Sequence, residues 1–188
     1  MKKGKTTNKR PIIKEIGLPD GTSASAFGNI LVIKGPKGEV KREFKQHYAS
    51  IRVENNKIIF ESKRETKKGK KTIGSLVAHA KNMVKGSTQK HAYTLKICSG
   101  HFPMNVSVSG NRFIIKNFFG EKVPRVLQLK EGADVKVEGE IIHVTSLNKE
   151  VAGQVSADIE QLTRRPGFDT RIFQDGIYII NKDGKELK

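Results

Sequence analysis

The chain has 188 residues, 36% of them hydrophobic and 29% charged, and its 36 Lys and Arg against 19 Asp and Glu leave a net charge of +17 and a pI near 10.0. That length holds one ordinary domain or two small ones, and the Ile, Val and Leu content excludes a wholly disordered chain. Such a charge repels itself unless a polyanion neutralises it, so nucleic acid is the natural partner, and no apolar run approaches the ~20 residues that span a bilayer.

The first ten residues, MKKGKTTNKR, lack apolar periodicity. They are expected to form a basic arm, disordered in the free protein, whose Lys2, Lys3 and Lys5 contact RNA phosphates. Because these lysines lead into Thr6, Thr7 and Asn8 and not into an apolar stretch, no secretory signal is read here and the chain is placed in the cytoplasm. Residues 29–38 (NILVIKGPKG) read as a strand followed by a tight turn. The GPKG has the GXXG form of a KH loop, but it joins strands where that loop joins helices, so a hairpin turn is the better reading. Residues 54–57 (ENNK) signal another hairpin, with KIIFES as its second strand.

Lys63, Arg64, Lys67, Lys68, Lys70 and Lys71 form a basic link between that strand and a helix. The helix itself is read from Ile73, Leu76, Val77, Ala80 and Val84, which recur at three and four residues. A polar, Gly-containing joint is expected at 86–91 (GSTQKH). Beyond it, Tyr93, Leu95 and Ile97 alternate as strand residues, with Cys98 facing the opposite side as an ordinary strand cysteine.

Residues 111–120 (NRFIIKNFFG) repeat 29–38, with Ile115, Lys116, Gly120 and Glu121 opposite Ile33, Lys34, Gly38 and Glu39. Ile141, Ile142 and His143 likewise match Ile58, Ile59 and Phe60, and Gly153 matches Gly74. Val151, Val155, Ile159 and Leu162 mark a second helix, which Pro166 and Gly167 stop. The pattern predicts an α+β chain of two duplicated small domains, each an antiparallel sheet with one helix packed on one face. The boundaries are a basic arm over 1–10, a first domain over 11–88 and a second over 89–188 that ends in an RNA-binding tail.

Charge divides unevenly: residues 1–90 carry 22 basic and 7 acidic side chains, whereas residues 91–188 carry 14 and 12. The arm and the Lys67 to Lys71 cluster are therefore expected at phosphates. In the tail, Arg164, Arg165 and Arg171 flank Phe168 and Phe173, and guanidinium groups both pair with phosphates and stack on bases. Phe118 and Phe119 fall where the repeat predicts a turn tip, so as exposed rings they would mark a contact.

Nothing proposes a reaction, a cofactor, a metal or a small-molecule substrate. The five histidines show no ligand spacing, and no phosphate loop, nucleophile elbow or zinc-protease motif is present. An RNA-modifying enzyme is disfavoured by the missing nucleophile and base, and a peripheral membrane protein by helices without a basic amphipathic face. A free-standing regulatory nucleic-acid binder would share the charge, and sedimentation would tell it apart.

The duplicated halves, the turn GPKGEVKREF, the matching NRFIIKNFFGEKVPR and the tail RRPGFDTRIFQDGIYIINK together resemble the large-subunit ribosomal protein L-six family in its archaeal and eukaryotic form, over nearly the whole chain. That resemblance implies a structural protein that binds large-subunit ribosomal RNA near the base of the sarcin-ricin region, beside neighbouring subunit proteins and the surface where translational GTPases dock. It also implies RNA contacts from Arg164, Arg165, Arg171, Lys182 and Lys185. The same holds for Lys116 and the 117–125 loop, with Asn117, Phe118, Phe119, Lys122 and Arg125.

Overall fold

The computed structural model describes residues 11–44, 49–62, 66–169 and 171–187. Lys2, Lys3, Lys5, Lys63 and Arg64 lie outside the described residues. The chain divides into two compact units, Met1–Gln89 and Lys90–Lys188.

In the first unit, β1 (Ile12–Gly17), β2 (Ser23–Phe27), β3 (Ile30–Gly35), β4 (Gly38–Glu43), β5 (Ala49–Glu54) and β6 (Lys57–Ser62) precede the helix α1 (Lys67–Gln89). They form two three-stranded antiparallel sheets, β2-β3-β4 and β1-β6-β5, where the repeat pattern suggested one. Local chemistry explains the hairpins. Between β5 and β6, Asn55 and Asn56 take φ of 47° and 60°, the left-handed pair that a two-residue primed turn requires and that Asn tolerates. Leu31, Ile33, Val40, Ile58 and Phe60 point inward. Onto them α1 lays Ile73, Leu76, Ala80 and Met83, a stripe at spacings of three and four residues.

Two expectations are corrected here. Lys67, Lys68, Lys70 and Lys71 are not a link: they occupy the first turns of α1, whose start is capped by Thr66 Oγ1 accepting from Gly69 N at 3.0 Å. Nor is 86–91 a loop, because α1 continues to Gln89 and the next strand starts at His91. The end of α1 is held against the β3–β4 turn, where Lys37 N donates to Ser87 O at 2.9 Å. Gly35 permits that approach, since a Cβ there would stand 2.7 Å from the Ser87 carbonyl oxygen.

In the second unit, β7 (His91–Cys98), β8 (Asn105–Ser109), β9 (Arg112–Lys116), β10 (Arg125–Gln128), β11 (Ala133–Glu138) and β12 (Ile141–Ser146) lead to α2 (Lys149–Leu162), then β13 (Gly176–Lys182) and β14 (Lys185–Glu186). The sheets are β11-β12-β7-β13-β14 and β10-β9-β8. β7 alternates as its sequence predicts, with His91, Tyr93, Leu95 and Ile97 buried and Cys98 on the other face. Asn148 caps α2 by accepting from Glu150 N at 2.9 Å, and Ala152, Val155 and Ile159 cover Leu95, Ile142, Val144 and Ile177.

The antiparallel pair β1–β6 recurs as β7–β12, and each pair has its helix, so the duplicated α+β class read from the sequence is the observed one. The matched glycines do different work. Gly153 faces the Tyr93 hydroxyl, which a Cβ would approach to 3.3 Å, while Gly74 faces open space. Among the described residues, the hairpin β13–β14 has no counterpart in the first unit.

Candidate nucleic-acid interface

The site grows from how α2 ends. Thr163 closes the helix by donating its hydroxyl to Glu160 O at 3.0 Å, and Pro166 with Gly167 (φ 85°) turns the chain away. The segment 164–175 then returns to β13. Two helix side chains take the amides of that strand, Thr163 Oγ1 from Ile177 N and Glu160 Oε1 from Ile179 N, both at 3.0 Å. The returning segment is thus fixed at both ends, by the helix cap and by the strand.

Opposite it lies the β9–β10 connection, residues 117–124. Asn117 (φ 61°) and Phe119 (φ 49°) both adopt left-handed backbone, which costs a non-glycine residue about 1 kcal/mol or more. Packing offsets that cost. Asn117 Nδ2 donates to Pro103 O at 3.0 Å, and the Phe119 ring sits among Phe118 (4.9 Å), Phe173 (5.9 Å), Phe168 (6.0 Å) and Phe102 (6.4 Å), centroid to centroid. The Arg165 guanidinium lies over Phe168 at 4.0 Å and over Phe119 at 5.0 Å. Asp175, buried just before β13, ties in the β7–β8 loop by accepting from the backbone N–H groups of Gly100 and His101. Burial raises its pKa, but the hydrogen bonds from Gly100, His101 and Phe102 outweigh that and hold the carboxyl below its ordinary value.

The arginines and aromatics named from the sequence separate into distinct roles. Neither Arg164 nor Arg165 has an ion pair at contact distance among the described residues, although Arg165 lies near enough to Glu121 to help lower its pKa, and Arg164 is exposed. Their charge remains available to a phosphate. Arg171 instead grips Asp169 through Nε at 3.1 Å and Nη2 at 2.8 Å, an exposed pair that largely cancels its charge. Arg125 is half-buried and engaged by the protein itself: Nε and Nη2 hold Glu121 at 2.8 and 2.6 Å, Nη1 donates to the Leu162 carbonyl at 2.6 Å, and the guanidinium covers Phe118. The Arg125 hydrogen bond, against a smaller opposing effect of burial, keeps Glu121 below its ordinary pKa.

Phe118 is corrected outright, because at 1% exposure it belongs to the core and offers no face to RNA. Phe119 is half-buried beneath Arg165. Lys116, Asn117 and Lys122 are exposed on the same connection. Lys182 and Lys185 are exposed on the β13–β14 hairpin, four residues and more along the chain from Tyr178. In the first unit, Lys67, Lys68, Lys70 and Lys71 are exposed at the start of α1, whose first turn carries no acid. Cations at a helix N-terminus oppose the helix dipole, and an approaching phosphate removes that penalty.

The sequence did not flag Tyr178, Glu160 or Phe102, although the first two line a cavity of about 530 Å³ with Phe119, Arg164, Arg165, Phe168 and Asp175. Burial above all, then nearby negative groups, pushes the Tyr178 hydroxyl above its ordinary pKa, so it stays a neutral donor. Among the described residues no helix is long and apolar enough to cross a membrane.

Fold and surface together define a class: a small, basic, duplicated α+β protein with cationic groups mounted on an aromatic platform, suited to a polyanion. The family model described as Ribosomal protein L6 matches residues 18–90 and 102–176, once over each half of the chain. The large ribosomal subunit protein uL6 of Methanococcus vannielii is 44% identical over 94% of this chain and 97% of its own length. Those of Methanosarcina mazei (39%, covering 92% and 98%) and Methanothrix thermoacetophila (37%, covering 91% and 97%) are similar to nearly the same extent. The chain belongs to the ribosomal protein L6 family, the relationship that its repeats and tail resemble.

Proposed function

We propose that this protein is a structural constituent of the large subunit of the cytoplasmic ribosome, without catalytic activity of its own. It holds large-subunit ribosomal RNA near the base of the sarcin-ricin region and so supports the neighbouring surface where translational GTPases dock. The observation that carries the RNA reading is the pair Arg164 and Arg165, without an ion pair at contact distance among the described residues, Arg165 lying over Phe119 and Phe168, on a segment fixed at both ends. Family membership supports the large subunit, and the address is what the resemblance to the family implies.

Geometry favours a division of labour. Rigid groups in the second unit make the contacts that depend on shape, with Lys116, Lys122, Lys182 and Lys185 around them. Lys67, Lys68, Lys70 and Lys71, together with Lys2, Lys3 and Lys5, add attraction that any phosphate backbone satisfies. Arg171 contributes only after releasing Asp169. The exposed Val123 and Val126 beside the β9–β10 connection suit cover by a neighbouring subunit protein.

Filter binding of the purified full chain to large-subunit and small-subunit ribosomal RNA at one ionic strength tests the reading. A preference of at least about tenfold for the large-subunit RNA is expected. Equal affinity for both would reduce the protein to a nonspecific polyanion binder.

A further inference from the structure

The cavity at the end of α2 is shaped for more than a phosphate. Its volume of about 530 Å³ falls within the roughly 300–1,000 Å³ of pockets that enclose a small molecule, and is far too small for a helix. Two planar groups line it: Arg165, whose inner surface is already occupied by Phe119 and Phe168, and Tyr178, which is 41% exposed. Guanidinium planes and aromatic rings are what unstacked bases pack on.

The polar groups have a definite sign. Arg164, exposed at the cavity and without a carboxylate partner among the described residues, suits a phosphate. Glu160 and Asp175, also in the lining, repel one. The two acids are not equivalent. Asp175 is occupied by the amides of Gly100 and His101, whereas Glu160 spends Oε1 on Ile179 N and has no hydrogen bond to Oε2 among the described residues. A half-buried carboxylate oxygen with spare capacity beside stacking surfaces calls for an N–H donor on a flat ring.

We propose that this cavity receives one unstacked nucleobase bearing an amine (adenine, cytosine or guanine) of the ribosomal RNA, packed on Arg165 and Tyr178, with its amine donating to Glu160 and its phosphate at Arg164. The inference rests on the RNA-binding reading above and narrows it to one nucleotide. Uracil, whose one Watson–Crick donor, N3–H, is flanked on both sides by carbonyl oxygens that the carboxylate repels, is disfavoured against them.

Photo-crosslinking within purified large subunits tests it. The full chain carries benzoylphenylalanine in place of Tyr178, and reverse-transcription stops map the products. The expected result is a single dominant crosslink to an unpaired adenosine, cytidine or guanosine, whose yield falls about tenfold in Glu160→Gln, which turns a donor toward the amine. Crosslink yields are normalised to the amount of protein per subunit, so that the fall reports the contact at the cavity and not loss of the protein from the particle. A crosslink to paired RNA, to uridine or to a neighbouring protein overturns the proposal, as does none at all while the protein comigrates with the subunit. A protein that does not comigrate with the subunit brings down the RNA-binding reading itself, so the two failures are distinguishable.

Discussion

The guanidinium of Arg125 lies 4.4 Å above the ring centroid of Phe118 and closes the second core, joining the β9–β10 connection to the last carbonyls of α2 through Leu162. An arginine in an exposed basic loop is read first as a phosphate ligand. Here three of its five N–H donors are already used, two by Glu121 and one by Leu162.

Arg125 is therefore expected to act on stability and not on charge-driven binding. Arg125→Lys cannot reproduce the bidentate grip, and it should destabilise the second unit by about 2 kcal/mol, seen as a fall of roughly 10 °C in its melting transition. The salt dependence of RNA binding should not change, whereas a slope reduced by about one would return Arg125 to the phosphate contacts.

Asp175 gives a pH signature. Its carboxyl is held below the ordinary value, so its stabilising effect is complete above about pH 4 and is lost as pH falls through the lower folded value. Asp175→Asn should cost about 2 kcal/mol at pH 7 by denaturant unfolding, because the amides of Gly100 and His101 lose a charged acceptor. The difference from the wild type should shrink below pH 4, where the protonated acid resembles the amide. A gap that widens on acidification would contradict this assignment.

Two glycine substitutions should move the first unit in opposite directions. Gly35→Ala forces a methyl to 2.7 Å from the Ser87 carbonyl oxygen and should destabilise by about 1–3 kcal/mol. Gly74→Ala places its methyl in open space within α1 and should stabilise by about 0.5–1 kcal/mol. Thermal melting of the full chain reads both, and losses of equal size would show that the approach of α1 to the β3–β4 turn is not the constraint.

The two classes of cation predict different losses. Removing residues 1–10 should lower the salt slope by roughly one per phosphate contact given up, while the preferred RNA site is retained. Arg164→Ala combined with Arg165→Ala should lose the preference itself, since it removes the groups mounted on Phe119 and Phe168. Footprinting at several salt concentrations measures both quantities, and identical losses from the two variants would end the division of labour.

How much of this was legible in the sequence depended on periodicity. The stripes of α1 and α2 and the alternation of β7 declare themselves because burial imposes their spacing. β1 and β2 do not: IIKEIG buries only Ile16 and leaves Ile13 exposed, and SASAF has few residues that favour a strand. The lysines at the start of α1 carried no helical signal because all four face solvent. Phe118 was misplaced by the repeat itself. Two residues join β3 to β4, but eight join β9 to β10, and the longer connection has the reach to fold its first ring back into the core. Arg164 and Arg165 were legible as a local run, and Glu160, four residues before Arg164, had a helical spacing that could have pointed to it, whereas Tyr178 meets them only through packing of strand on helix, which no spacing along the chain records.

A sucrose-gradient profile of a cell lysate, probed for this protein after a high-salt wash, shows directly whether it is a constituent of the large subunit. Retention with the large subunit is predicted, because rigid contacts from the second unit survive when screened attraction does not. Migration at the top of the gradient, even at low salt, would exclude a ribosomal constituent and leave a basic protein whose polyanion lies elsewhere.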